Sequence, residues 1–403
     1  MGELRTDLVT IGLAEQVLSR QGDHNRAAAE YLSTYGSVRG HTGVLLAALG
    51  PLSDAITAAG AGVLRLGGSM CDTTAHSACA TLTSYVGADD RVARRLGVLA
   101  GGPGAAASPA APAAPYAPLG PAENRAPGDH GQADSYFWQK AGSIGDSLAE
   151  ILEGGKDLGR DVSRWGQGAG GVVEAVDAQS FLVPPQASEN VIQDLRWNAG
   201  VVLGSVDWVF EQLCGYSILE ELIFKPFGGD SSEVKKAGEA WAHTGEALSA
   251  VAANHARLVP TTVAGWEGAA ADAFRVAMAA ISQGFAELSA LCDTITTALS
   301  AVSLVITGVC AGIGFAIRTI AEMLIEIAAE LAVPGIGWGM LLATAYWKVE
   351  KIFMGVRLIY TLTESVLDVI ASFADAQAAA VGSLGRFEDL AEGVFRRAAQ
   401  AVS

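Results

Sequence analysis

Histidine and cysteine, which commonly bind metals or take part in catalysis, are few in this sequence and form no recognisable pattern. Its 403 residues include six histidines and five cysteines. No pair of histidines has the H-E-x-x-H spacing that would place two imidazoles on one face of a helix. Five is an odd number of cysteines, and their spacing fits neither a zinc site nor a disulfide framework. We therefore predict that the protein uses no metal and no cofactor.

Two glycine-rich stretches imitate the motifs of active sites. Residues 166–171 satisfy the G-x-G-x-x-G spacing of a dinucleotide site, and residues 308–312 satisfy the G-x-x-x-G frame of a nucleophile elbow, with Cys310 at its centre. The first stretch follows no predicted strand, and the second lies within an apolar helical run where an elbow requires a strand-turn-helix. We interpret both matches as accidental and predict that the protein is not an enzyme.

The composition argues against nucleic-acid binding and favours an all-α fold. The net charge is −17, whereas binding to nucleic acid or to anionic lipid requires clustered Lys and Arg. Half of the chain is hydrophobic, and alternating strand-like runs are nearly absent. We predict two long, coiled-coil-like helical hairpins joined by an Ala/Pro-rich linker.

The clearest hairpin is predicted around a Trp-x-Gly tripeptide, at Trp266 and Gly268. Apolar residues recur at three-four spacing over 234–258 and again over 274–302, so each run presents one apolar face. Pro260 disfavours continuation of the first helix, and Thr261 and Thr262 are predicted to cap the start of the second. The residues predicted to pack along the seam are Trp241, Leu248, Phe274, Met278, Ile281 and Phe285.

A second hairpin is predicted within residues 1–100. Its first arm covers about 7–35, and its second arm is predicted to be capped by Ser53 or Asp54 and to reach Leu82. Tyr85 and Asp89 would then close the hairpin.

The remaining chain divides at changes in composition. Residues 101–134 are rich in Ala, Pro and Gly and are predicted to form a flexible linker. Residues 135–230 are predicted to be a helical lead-in, and residues 231–403 a Trp-x-Gly hairpin extended into a long apolar bundle. Turns or breaks are expected near Pro334 and at Gly382-Ser383.

Trp266-Glu267-Gly268, followed by Ala-rich sequence and Phe274, resembles the tip of the WXG-motif substrates of bacterial type VII (ESX-type) secretion. The resemblance covers about 230–300. Tyr85 and Asp89 match the Tyr-x-x-x-Asp/Glu export signal of the same system, and the hairpin that carries them resembles the small ESX secretion-associated proteins. Tyr216, Tyr346 and Tyr360 also have an acidic residue four positions on, but they lie inside apolar helical runs. Because the same spacing occurs at four tyrosines, a chance pair at a helix end remains an alternative for Tyr85 and Asp89.

The resemblance implies a non-enzymatic helical substrate, secreted or associated with the cell envelope, without a cleavable signal peptide. Its implied partners are the type VII machinery with its ATPase, and a small WXG-type helical protein or a second copy of the chain. We further hypothesise that one chain supplies both the Trp-x-Gly tip and the tyrosine signal, with the N-terminal hairpin packed along the second one.

Three alternatives remain at this point. Residues 294–317 and 331–347 carry no charged side chain, so a membrane-inserting or pore-forming effector using 294–347 is one of them. Another is a toxin-delivery head without its toxin domain, because the sequence stops at Ser403 directly after the helical region. The third is a cytosolic helical scaffold, which the lack of a signal peptide alone supports.

Overall fold

Five long helices make up most of the part of the chain that the structure describes. The computed structural model describes residues 7–38, 46–99, 118–128, 130–131, 171–186, 231–263, 265–331 and 338–402. The helices are α1 (Leu8–Tyr35), α2 (Leu49–Leu99), α3 (Ser231–Thr261), α4 (Ala269–Leu331) and α5 (Trp338–Val402). Within these residues there is no strand, and one isolated bridge joins Asn124 and Val176. The predicted all-α class is confirmed.

Helices α1 and α2 form an antiparallel hairpin. Asp7 caps α1, because its carboxylate accepts a hydrogen bond from the backbone N–H of Val9 at 3.0 Å. Arg26 of α1 and Asp72 of α2 form an ion pair at 2.6 Å. The helices approach closely at Gly22, where an added Cβ would collide with the Asp72 carboxylate.

Helices α3, α4 and α5 pack against this hairpin, so the two halves of the chain share one core. Trp241 of α3 reaches the N-terminal half: its indole N–H donates to the Gly36 carbonyl at 3.0 Å, and its ring lies against Gly60 of α2. Phe285 of α4 likewise lies against Gly67 of α2. All six predicted seam residues are buried: Trp241, Leu248, Phe274, Met278, Ile281 and Phe285.

Helices α4 and α5 extend beyond the other three and form a two-helix arm. They have 63 and 65 residues, whereas α3 has 31. Gly238 of α3 faces Leu299 of α4, so the start of α3 lies near the level of residue 306 in this antiparallel pair. We call residues 307–331 and 338–370 the arm. Within it, Glu326 and Lys348 form an ion pair at 3.1 Å.

Several predicted helix ends are wrong. Helix α2 begins at Leu49, so neither Ser53 nor Asp54 is its cap. The Ser53 hydroxyl instead accepts a hydrogen bond from Val38 N at 2.9 Å. Helix α2 also continues past Leu82 to Leu99. Helix α5 runs through Gly382-Ser383 without a break, because one glycine costs a helix only about 1 kcal/mol.

The threonines predicted to start the helix after the corner end the preceding one. The hydroxyls of Thr261 and Thr262 donate to the carbonyls of Arg257 and Leu258, whereas α4 begins only at Ala269. The backbone N–H of Thr262 also donates to the Leu258 carbonyl, at 3.3 Å, so the Thr262 hydroxyl adds a second hydrogen bond to a carbonyl that is already paired.

Two extended segments lie against the helices, and we call them the clasp (residues 118–131, except 129, and 171–186). The first belongs to the predicted flexible linker, yet Leu119 N donates to Gln16 of α1 at 2.8 Å, and Arg20 donates to the Gly120 and Leu119 carbonyls. The second belongs to the predicted helical lead-in but contains only a 3-10 turn at Ala178–Phe181. Both predictions are wrong for these residues, because side chains of the bundle satisfy the extended backbone. The rest of 101–134 and of 135–230 lies outside the described residues.

Candidate functional site

The Trp-x-Gly corner reverses the chain between α3 and α4. Trp266 is buried, its ring packs against Phe274 with the centroids 5.1 Å apart, and its backbone N–H donates to the Thr262 carbonyl at 3.0 Å. Gly268 has φ 105°, a conformation that side chains with a Cβ rarely adopt. The corner therefore requires both an aromatic residue that closes the core and a glycine that turns the backbone.

Arg275 of α4 holds this corner in place. Its guanidinium donates to the backbone carbonyls of Thr262 and Trp266 and pairs with Asp272 at 3.0 Å. Sequence reasoning missed this residue. Its signal was an arginine in the second turn of a helix that follows a tight turn, which is too common to be specific.

The start of α1 lies directly on the corner. The backbone N–H of Asp7 donates to the Gly265 carbonyl, and an added Cβ at Gly265 would collide with Thr10. The N-terminal half of the chain therefore contacts the Trp-x-Gly corner through backbone that only glycine leaves accessible.

Tyr85 lies at the same end of the bundle as this corner. Cys71 of α2 and His255 of α3 are in contact at 3.5 Å, and Gly60 lies against Trp241, so α2 and α3 run in the same direction. Tyr85 follows Cys71 by about four helical turns, and the corner follows His255 by about two to three. The Tyr85 side chain packs partly buried against the core. Asp89 lies in α2, but its side chain is outside the described residues.

The clasp brings a buried carboxylate to α1. Glu174 accepts hydrogen bonds from Arg20 at 2.7 Å and Gln21 at 3.1 Å, and it lies 2.7 Å from His24 Nε2. Burial alone would raise the pKa of Glu174, but the hydrogen bonds from His24 and Arg20 outweigh it and hold the pKa below its usual value.

Asn254 of α3 holds the same segment by its backbone. Its carbonyl oxygen accepts from Ala175 N at 2.9 Å and Val176 N at 3.0 Å, and its amide donates to the Val176 carbonyl at 2.8 Å and to Gln21 at 3.0 Å. The side chain is fully buried. Asn254 thus satisfies the extended chain in the way that a neighbouring strand would.

A buried histidine anchors the end of the clasp. The Tyr31 hydroxyl donates to the Val183 carbonyl at 2.6 Å, and His243 Nδ1 lies 2.9 Å from that hydroxyl. Burial, followed by the nearby His130, lowers the pKa of His243 to about 4. The imidazole is therefore neutral at pH 7.

Cys71, His255 and Asn25 resemble a catalytic group in composition, but their surroundings oppose catalysis. All three are buried, burial raises the pKa of the Cys71 thiol, and burial lowers the pKa of His255 to about 4. His255 Nδ1 also lies 2.8 Å from the Val251 carbonyl of its own helix. The pair is a neutral contact between α2 and α3, since neither a thiolate nor an imidazolium is favoured there.

The lowered pKa of His255 predicts a pH dependence of stability. Between pH 6.5 and 4 the unfolded chain binds a proton at this position that the folded protein excludes. As the pH is lowered, the free energy of unfolding therefore decreases. The contribution of His255 to this loss is about 3 kcal/mol at pH 4 relative to pH 7. Chemical denaturation of the wild type and His255→Gln at pH 7, 6, 5 and 4.5 measures it. The wild type should lose stability faster than the variant, and equal losses would contradict the shift.

The described residues contain no group of three or more His, Cys, Asp or Glu side chains placed to bind a metal. Gly308 to Gly312 lie within α4, in a continuous helix, so the elbow geometry is not formed there. Of the other glycine-rich stretch, only Gly171 is described.

One helix in the described part of the chain, α4 over Ala269–Ile320, is long and apolar enough to cross a membrane by length and composition. Less than half of its most apolar window, 44%, is buried.

Comparisons with protein-family models, with curated proteins and with solved structures give no match to this chain.

Proposed function

We propose that this protein is a non-enzymatic substrate of a type VII (ESX-like) secretion system, exported as one folded helical bundle. The observation that carries the proposal is the placement of the Trp266 corner, the start of α1 and Tyr85 at one end of the same bundle. In the WXG family, a Trp-x-Gly tip lies near the tyrosine signal of a partner. Here a single chain supplies both.

The mechanism that we propose is recognition of a rigid surface. Trp266 and Gly268 fix the corner, and the buried core fixes α2 against α3, so Tyr85 has a defined position relative to the corner. The secretion machinery with its ATPase would read this end of the bundle. The protein would then be secreted or associated with the cell envelope, without needing a nucleic acid or a cofactor.

Replacing Tyr85 tests the proposal in a bacterium that expresses the protein with an intact or an inactivated type VII ATPase. We expect wild-type protein in the culture medium only when the ATPase is intact. We expect Tyr85→Ala to remain in the cells, because the substitution removes the recognised group. We expect its total level to be normal, because the Tyr85 side chain is only half-buried.

Thr83→Ala is the matched control, since Thr83 is exposed on the same helix and its hydroxyl bonds only to its own backbone turn. It should be exported like the wild type. Export of the wild type without the ATPase, or normal export of Tyr85→Ala, would refute the proposal.

A second function, insertion of the arm into a membrane, is favoured by one observation. The arm exposes large apolar side chains. Phe315 (68%) belongs to α4, the helix that is apolar enough to span a bilayer, and Phe353 (75%) belongs to the neighbouring α5. Co-flotation of the purified protein with lipid vesicles would favour this function over recognition alone.

A further inference from the structure

One face of the arm carries apolar side chains that are exposed to solvent. In α5, Gly355 and Leu362 face α4, where they meet Ile320 and Gly312. Away from that seam, four apolar residues recur at spacings of three, four and seven positions, which places them on one side of the helix. This outer stripe consists of Phe353, Val356, Tyr360 and Leu367, with exposed fractions of 75, 38, 70 and 51%.

Charged residues accompany the outer stripe along its length. Arg357 and Glu364 lie next to the outer stripe on one flank of the helix. Glu350 and Asp368 lie on the same flank, farther from the stripe, and all four residues are exposed. A charged side chain at the centre of a bilayer costs about 2.5–3.5 kcal/mol even by the lower scales. Apolar positions flanked by charges are instead typical of helices that pair in water. The composition of this face therefore favours a helical protein partner over lipid.

The order of the charges indicates which helix would fit. The cation Arg357 precedes Tyr360, and the anion Glu364 follows it. In an antiparallel pair of two such helices centred near Tyr360, Phe353 of each copy lies near Leu367 of the other. Arg357 of each copy then lies near Glu364 of the other, so the same attraction forms twice. Such a surface is self-complementary, as a two-fold interface requires.

We propose that the outer stripe of α5 binds the same stripe of a second copy of this chain, antiparallel and about a two-fold axis near Tyr360. The two arms then pair side by side. With four apolar side chains from each copy the interface is small, so the dimer is reversible and its population rises with protein concentration. This inference does not rest on the proposed export function.

Charge reversal tests the proposal with the full-length protein. Sedimentation velocity over a wide concentration range should show a monomer–dimer equilibrium for the wild type. Arg357→Glu and Glu364→Arg should each weaken the dimer by about tenfold, because each of the two symmetric contacts turns from attraction into repulsion. The double variant, Arg357→Glu with Glu364→Arg, should restore wild-type affinity. These residues are exposed, and circular dichroism should report unchanged folding.

Arg396→Glu, an exposed position of α5 outside the arm, should leave the dimer unchanged. Three results would overturn the proposal. The first is a wild type that remains monomeric at the highest concentration, whether or not it also floats with vesicles of neutral or anionic lipid. The second is a dimer that neither single reversal weakens, and the third is a double variant that fails to recover.

Discussion

Trp241→Ala should destabilise the protein by about 4–5 kcal/mol. Removing a fully buried tryptophan leaves a cavity, and such substitutions cost about 3–5 kcal/mol. Here the indole N–H also donates to the Gly36 carbonyl, and a buried carbonyl without its partner adds about 1 kcal/mol or more. The ring lies between α3 and the N-terminal hairpin, so the loss affects the contact between both halves of the chain. Equilibrium denaturation in urea, followed by circular dichroism, measures the change.

Trp347→Ala provides the matched control. Trp347 is 41% exposed on the arm, and its ring lies 4.6 Å from the Lys351 ammonium. An exposed cation–π contact contributes about 0.5–1 kcal/mol, so this variant should remain within about 1 kcal/mol of the wild type. Equal losses in the two variants would mean that Trp241 does not have the central position in the core that its burial indicates.

Asn254→Ala should cost about 3–5 kcal/mol and should loosen the clasp. The substitution leaves two buried backbone N–H groups and one carbonyl of residues 175–176 without a partner, and each such group costs about 1–3 kcal/mol. Extended backbone that loses these bonds becomes more accessible. We therefore expect a lower midpoint of denaturation together with faster cleavage within residues 171–186 in limited proteolysis.

Gln283→Ala is the control for the loss of a side-chain amide. Gln283 is exposed on α4, and its amide donates only to Glu287 of the same helix, at 3.4 Å. Its replacement should change stability by no more than about 0.5 kcal/mol and should leave the cleavage pattern unaltered. If Asn254→Ala behaved like this control, the four hydrogen bonds assigned to Asn254 would be excluded as a source of stability.

Periodicity of apolar residues predicted the helical class and the buried faces. Residues such as Met278, Ile281 and Phe285 repeat at three-four spacing, and this spacing alone determines that they share a face. The tripeptide at Trp266 marked the corner because Pro260 and a nearby glycine interrupt that spacing. These are local signals, and a single sequence contains them.

The clasp and the helix ends could not be predicted in the same way. Glu174 and Asn254 are isolated polar residues, and their partners lie far away in the chain: 153 positions separate Gln21 from Glu174. Neither periodicity nor composition relates such positions. The predicted end of α2 at Leu82 is wrong because Gly87 costs the helix little, and apolar residues resume at Val92 and Leu96.

The parallel course of α2 and α3 has a consequence for synthesis of the chain. Cys71 and His255 are 184 positions apart, and helices that run in the same direction cannot be joined by a short turn. While the ribosome makes the N-terminal hairpin, Gln21 and His24 of α1 have not yet met Glu174 or Asn254, and the site for Trp241 is empty. Contacts this distant in sequence form slowly because a long loop must close first. The polar and apolar groups of the N-terminal hairpin that pack against these later residues therefore stay exposed to solvent until α3 and α4 have been synthesised.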